Sequence, residues 1–158
     1  MADSLQLIAL NLSSIANELA EYKKSLQLIL RELKKKYRND FETPLTKTYT
    51  SGAIASMIII KACGFRDEVN NHYSKHHRNT QTPEIKVAIK ELNAFMISKK
   101  IPEFRNYVLA HNNRKSDKIL FWDEIISMRP LYEPEDYYKL IECCRTVAIL
   151  ISSLPQEL

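Results

Sequence analysis

The chain has 158 residues, of which 45% are hydrophobic and 27% are charged; this is the profile of one globular domain that can bury about two thirds of its unfolded surface. Only two glycines occur, which argues against turn-rich β architectures and against glycine loops that cradle phosphates. The net charge of +4 permits RNA as a partner but is small for a dedicated duplex-DNA binder.

A long first helix is predicted from Leu5 to about residue 38. Asp3 or Ser4 can cap its start, and apolar residues recur along it in alternating steps of three and four, which predicts one buried seam. The seam consists of Leu5, Ile8, Leu12, Ile15, Leu19, Tyr22, Leu26, Ile29 and Leu33. Further leucines lie beside it at positions 7, 10, 28 and 30, and either the bundle interior or a second subunit can cover them.

Prolines predict where the later helices begin, because proline is favoured in the first turn. The second helix is expected after Pro44 and runs to Tyr73, and a polar loop follows over residues 74–82. Further helices are expected at Pro83, at Pro102 and at Pro134, with a brief one over residues 121–128. The pattern predicts a single all-α domain over residues 1–158, an up-and-down four-helix bundle with one or two extra short helices.

The three cysteines indicate a reducing compartment. They are odd in number, and the adjacent pair Cys143 and Cys144 cannot easily close a disulfide. The N-terminus has no basic segment followed by a cleavage site, and no apolar run approaches the ~18 residues of a membrane span. We therefore expect a cytoplasmic protein without a membrane partner.

The segment from Phe104 to Asn112 carries the residue types that phosphodiester cleavage needs. His111 has an imidazole that can take a proton from a ribose 2′-hydroxyl, or give one to the departing 5′-oxygen, near neutral pH. The Arg105 guanidinium can hold a phosphate and stabilise charge that grows on its oxygens. Asn106 follows Arg105 directly, so cation, amide and imidazole flank one short apolar stretch.

This Arg105-Asn106-x4-His111 pattern resembles the signature of the HEPN family, most closely that of its abortive-infection and toxin members. The resemblance implies a bundle of four to five helices and metal-independent cleavage of single-stranded RNA, with the 2′-hydroxyl as nucleophile and a 2′,3′-cyclic phosphate as product. It implies no cofactor and no metal. Catalysis would fall to Arg105, Asn106 and His111, and RNA binding to Asn112, Arg114 and Lys115.

The resemblance also implies partners. HEPN ribonucleases are generally two-fold dimers in which two motifs share one cleft, and toxins of this kind are restrained by an antitoxin or another regulatory protein. Six helical residues rotate by about 600°, which leaves Arg105 and His111 some 120° apart. A homodimer, or an unwinding of the helix at His111, would bring the groups together.

Two alternatives stay open at this stage. A non-catalytic HEPN domain, or another helical-bundle module for protein interaction or nucleotide binding, would use the same Arg and His for hydrogen bonding. A metal-dependent enzyme would use Glu68, His72 and His76, which recur every four residues. Arg66 and His72 have the same spacing as the HEPN pair, but Arg66 is followed by Asp67 rather than by Asn.

Overall fold

The computed structural model describes residues 4–37, 49–112, 131 and 133–155. Every regular element within them is helical, which confirms the all-α prediction. The main helices are α1 (Leu5–Tyr37), α2 (Tyr49–Glu68), α3 (Pro83–Ser98), α4 (Ile101–Asn112) and α5 (Pro134–Ser152). Pro44 and the helix predicted over residues 121–128 lie outside the described residues.

Helix α1 follows its predicted pattern. The Ser4 Oγ accepts a hydrogen bond from the Leu7 backbone N–H at 3.2 Å, so Ser4 caps the helix. Four positions of the seam are fully buried: Ile8, Leu12, Leu19 and Leu26. The extra leucines differ, because Leu7, Leu10 and Leu28 are 46%, 61% and 50% exposed in this chain.

The prediction of a polar loop over residues 74–82 is wrong for its first part. A π-helical turn, Val69–Tyr73, continues α2, and helical turns at Ser74–His76 and Arg78–Thr80 follow it. The Tyr73 side chain is buried and its hydroxyl accepts from the Thr80 Oγ1 at 3.3 Å, while its carbonyl accepts from the His77 N–H at 2.8 Å. Burial of an aromatic side chain outweighs the weak helical propensity of the polar residues around it.

A tight junction connects α3 to α4. The Thr82 Oγ1 caps the start of α3 by accepting from the Ile85 N–H at 3.3 Å. At its other end Lys100 adopts a left-handed conformation with φ 53°, which costs a non-glycine residue roughly 1–2 kcal/mol. Ile101 and Phe104 are buried directly afterwards, and their burial offsets that cost and fixes the direction of α4.

Around one core, α1 runs antiparallel to α2 and to α5, and α3 runs antiparallel to α5. Helix α1 packs against α2 and α5, and α3 packs against α5. Glu18 lies 2.5 Å from Lys61 through its Oε2 and the Lys61 Nζ, and Asn11, earlier in α1, contacts Glu68, later in α2. At the end of α3 the Lys99 Nζ lies 2.9 Å from the Oδ2 of Asp136 at the start of α5. Helix α4 packs against both α2 and α3, and Arg105, the first residue of the predicted motif, contacts α2.

None of the helices in the described ranges combines the length and the apolar character that crossing a membrane requires.

Candidate functional site

A half-buried polar face lies at the C-terminal part of α2 and in the π turn. Arg66, Asp67 and Asn70 project from it, and the buried Cys63 lies one turn earlier. Spacings of three and four place these side chains on one side of the helix. The face meets one polar residue of α3 and two of α4. We call the whole set the polar cluster: Arg66, Asp67, Asn70, Asn93, Arg105 and Asn106.

Arg105 is held in the polar cluster by its neighbours. Its Nη1 donates to the Asp67 Oδ2 in an ion pair between α4 and α2, and its Nη2 donates to the Asn106 Oδ1 at 3.4 Å. The Arg105 side chain is 23% exposed and that of Asp67 is 41% exposed. The hydrogen bond with Asp67 raises the pKa of Arg105, so this guanidinium stays charged at every accessible pH.

One donor of Arg105 has no partner among the described residues. Its Nε is buried, and no acceptor in the described part of the chain lies within hydrogen-bonding distance of it. A buried unpaired donor is unfavourable and is unusual in a folded protein. Because this Nε is enclosed, a ligand can reach Arg105 only through the two terminal nitrogens, which now face Asp67 and Asn106.

Arg66 is anchored on the other side of the polar cluster. Its Nε donates to the Asn93 Oδ1 at 2.7 Å. Asn93 and Asn70 also form a reciprocal amide pair, with N···O distances of 3.3 and 3.4 Å. These bonds connect the π turn to α3, so the orientation of Arg66 depends on two amides from two helices.

The structure places three of the predicted site residues on one helix. Arg105, Asn106 and His111 lie on one uninterrupted helix that continues to Asn112. The helix therefore does not unwind at His111, and the two key positions lie about 9 Å apart along its axis and some 120° apart around it. For His111 and Asn112 the structure describes the helical backbone alone, and the predicted RNA-binding residues Arg114 and Lys115 lie outside the described residues.

The metal-dependent alternative gains no support. In the described ranges, which include Glu68, His72 and His76, no three or more His, Cys, Asp or Glu side chains form a group that could hold a metal ion. Glu68 instead accepts from the Asn11 Nδ2 at 3.4 Å and so faces α1.

Sequence reasoning missed Asp67, Asn70 and Asn93 as members of this site. In the sequence, Asp67 argues against Arg66 and His72 as a HEPN pair, because an acid beside a cation weakens phosphate binding. In the fold this same acid pairs with Arg105, 38 positions away in the chain. The spacing of Cys63, Arg66, Asp67 and Asn70 on one helix face is the signal that could have indicated the cluster.

Cys63 lies beneath the polar cluster and provides a test of its burial. The pKa of the Cys63 thiol is raised to about 11, mainly by burial; Arg105 and Arg66 act to lower it and Asp67 acts to raise it. We expect iodoacetamide to modify Cys63 far more slowly in the folded protein than in urea at pH 8, as measured by mass spectrometry. Equal rates would contradict the buried position.

The direction of the Cys63 pKa shift also predicts a pH dependence. A raised pKa means that the folded state favours the neutral thiol. The preference of the folded state for the neutral thiol therefore contributes fully to the free energy of unfolding below the unfolded pKa near 9. This contribution is lost as the pH rises through about 11. A Cys63→Ala variant should lose less stability than wild type between these two pH values.

Comparisons with models of known families, with curated proteins and with solved structures found no match to this chain.

Proposed function

We propose that this protein is a metal-independent endoribonuclease of the HEPN type that cleaves single-stranded RNA. The observation that supports the proposal most is the placement of Arg105, Asn106 and His111 on one unbroken helix, which packs against two other helices. The antiparallel packing of the described helices is compatible with the four-helix, up-and-down arrangement of that family, which we include in the proposal.

The proposed reaction needs two proton transfers. The 2′-hydroxyl oxygen attacks the adjacent phosphorus, and one imidazole takes the hydroxyl proton. The bond from phosphorus to the 5′-oxygen breaks, and an imidazolium gives that oxygen a proton, which leaves a 2′,3′-cyclic phosphate. The guanidinium of Arg105 binds the phosphate and stabilises the charge on its oxygens in the transition state. Asn106 holds Arg105 in place.

A homodimer supplies what one subunit lacks. Because α4 stays helical through His111, the motif of one chain presents one imidazole, on a different side of the helix from Arg105. Two copies around a two-fold axis would place both histidines in one cleft, one as base and one as acid. We therefore propose a homodimer in the cytoplasm, with RNA contacts extended by Asn112, Arg114 and Lys115.

In the cell the proposed role is that of a toxin or phage-defence effector, restrained by an antitoxin or another regulatory protein. One observation favours a second candidate function, a non-catalytic module for protein interaction or nucleotide binding. The ion pair with Asp67 already neutralises Arg105, as expected of a residue whose role is to connect two helices.

The two candidates differ in a cleavage assay with end-labelled single-stranded RNA in EDTA. The ribonuclease should cut the all-ribose strand, leave 2′,3′-cyclic phosphate ends, and leave a 2′-O-methyl strand of the same sequence intact, because that strand lacks the nucleophile. Cleavage of both strands, or cleavage that EDTA abolishes, would contradict the proposed chemistry. Absence of cleavage across strands of varied sequence would favour the non-catalytic module.

A further inference from the structure

Arg66 has an unusual combination of orientation and charge. Its Nε is tied to Asn93 at 2.7 Å, which leaves the two terminal nitrogens as a fork at the other end of a half-buried guanidinium. No carboxylate in the described part of the chain forms an ion pair with it. An arginine fixed through Nε has already lost much of the rotational freedom that binding would otherwise cost.

The charge of the polar cluster points to an anionic ligand. Two guanidinium groups, Arg66 and Arg105, and one carboxylate, Asp67, leave one net positive charge. Asp67 is bonded to Arg105, so the uncompensated charge belongs to Arg66. The remaining members of the cluster are side-chain amides, which can donate hydrogen bonds to an anion but cannot neutralise the cation. A half-buried cation with a fixed fork, and with no counter-ion among the described residues, is suited to a phosphate.

We propose that Arg66 is a second phosphate-binding residue of the RNA site, oriented by Asn93 and Asn70, and that it holds a phosphate next to the one bound by Arg105. This inference rests on the proposed function, because it takes RNA as the ligand. Arg66 and Asp67 are sequence neighbours and Asp67 contacts Arg105, so the two arginines belong to one cluster. Successive phosphates of a single strand can then contact one arginine each.

The test is binding of a fluorescent 2′-O-methyl single strand to the full chain in EDTA, at several KCl concentrations between about 50 and 200 mM. This strand cannot react by 2′-hydroxyl attack, so affinity is measured without cleavage. Arg66→Gln should lower the affinity roughly 10- to 100-fold at low salt, the range for a lost charged hydrogen-bonded contact. It should also reduce the slope of log affinity against log salt by about 0.7, the value for one phosphate contact on a single strand.

Three further variants separate a contact from a structural effect. Arg66→Lys keeps the charge, so the salt slope should stay near that of wild type while the affinity falls, because the fork is lost. Asn93→Ala should weaken binding less than Arg66→Gln, because it removes only the anchor. Arg145→Gln removes one exposed positive charge from α5, where the Arg145 side chain is 59% exposed, and should leave the affinity almost unchanged. Circular dichroism checks that all variants are equally helical.

The outcomes separate this inference from the proposed function. An unchanged salt slope in Arg66→Gln, or an equal loss in Arg145→Gln, would overturn the role of Arg66 even if wild type cleaves RNA. If Arg66→Gln reduces the salt slope but the wild-type protein cleaves no RNA, the binding role of Arg66 is supported and the ribonuclease proposal is overturned. Failure of wild type to bind the strand at any salt concentration would overturn both.

Discussion

Replacing His111 with alanine is expected to lower the rate of RNA cleavage by about 10²- to 10⁴-fold, the usual contribution of a general acid or base. His111 is the imidazole of the motif and lies on the same unbroken helix as Arg105. Single-turnover cleavage of an all-ribose strand measures the effect. His76→Ala is the matched control, because His76 is an exposed histidine in the turn that follows α2 and has no part in the proposed reaction.

Arg105→Lys belongs to the same experiment and should lower the rate by about 10²- to 10³-fold, the cost of removing one donor to the developing charge. Lysine keeps a positive charge opposite Asp67, so the contact between α2 and α4 is retained in part, whereas the planar fork is lost. If both variants keep the wild-type rate with unchanged helical content, the motif does not form the active site. Loss of activity together with loss of helical content would instead indicate a structural role for Arg105.

The sequence predicted most helices because the signals that start and end them are local. The Ser4 cap, the proline at the start of α3 and the proline at the start of α5 act within one turn, and the spacing of apolar residues identified the buried face of α1. The helical turns after Tyr73 were missed, because their stability depends on burial of Tyr73 by residues distant in the chain. Local propensity does not contain that information.

Only those residues of the candidate site that are neighbours in the sequence could be predicted. Arg105 and Asn106 could be identified from a motif, but their surroundings depend on how α4 crosses α2 and α3. The partner of Arg105 is Asp67 and the partner of Arg66 is Asn93, pairs that lie 38 and 27 positions apart. The left-handed Lys100 lies directly before α4 and affects its direction, and a lysine followed by Ile101 and Pro102 does not predict that conformation.

Leu12→Ala is expected to lower the free energy of unfolding by about 2–5 kcal/mol, because Leu12 is fully buried in the core and truncation leaves a cavity. This is a large part of the roughly 5–15 kcal/mol that stabilises a typical domain. Urea unfolding followed by circular dichroism measures the change, and an effect below about 1 kcal/mol would contradict the position of the α1 seam.

Leu10→Ala is the matched control for Leu12→Ala, since it makes the same truncation two residues earlier in α1 at a side chain that is 61% exposed. In an isolated chain it should change the free energy of unfolding by less than about 0.5 kcal/mol. A homodimer that covers this face would give a different result, because burial in the interface makes Leu10 contribute to stability and makes the unfolding midpoint depend on protein concentration. A small, concentration-independent effect would mean that any dimer of this protein uses a face other than that of Leu10.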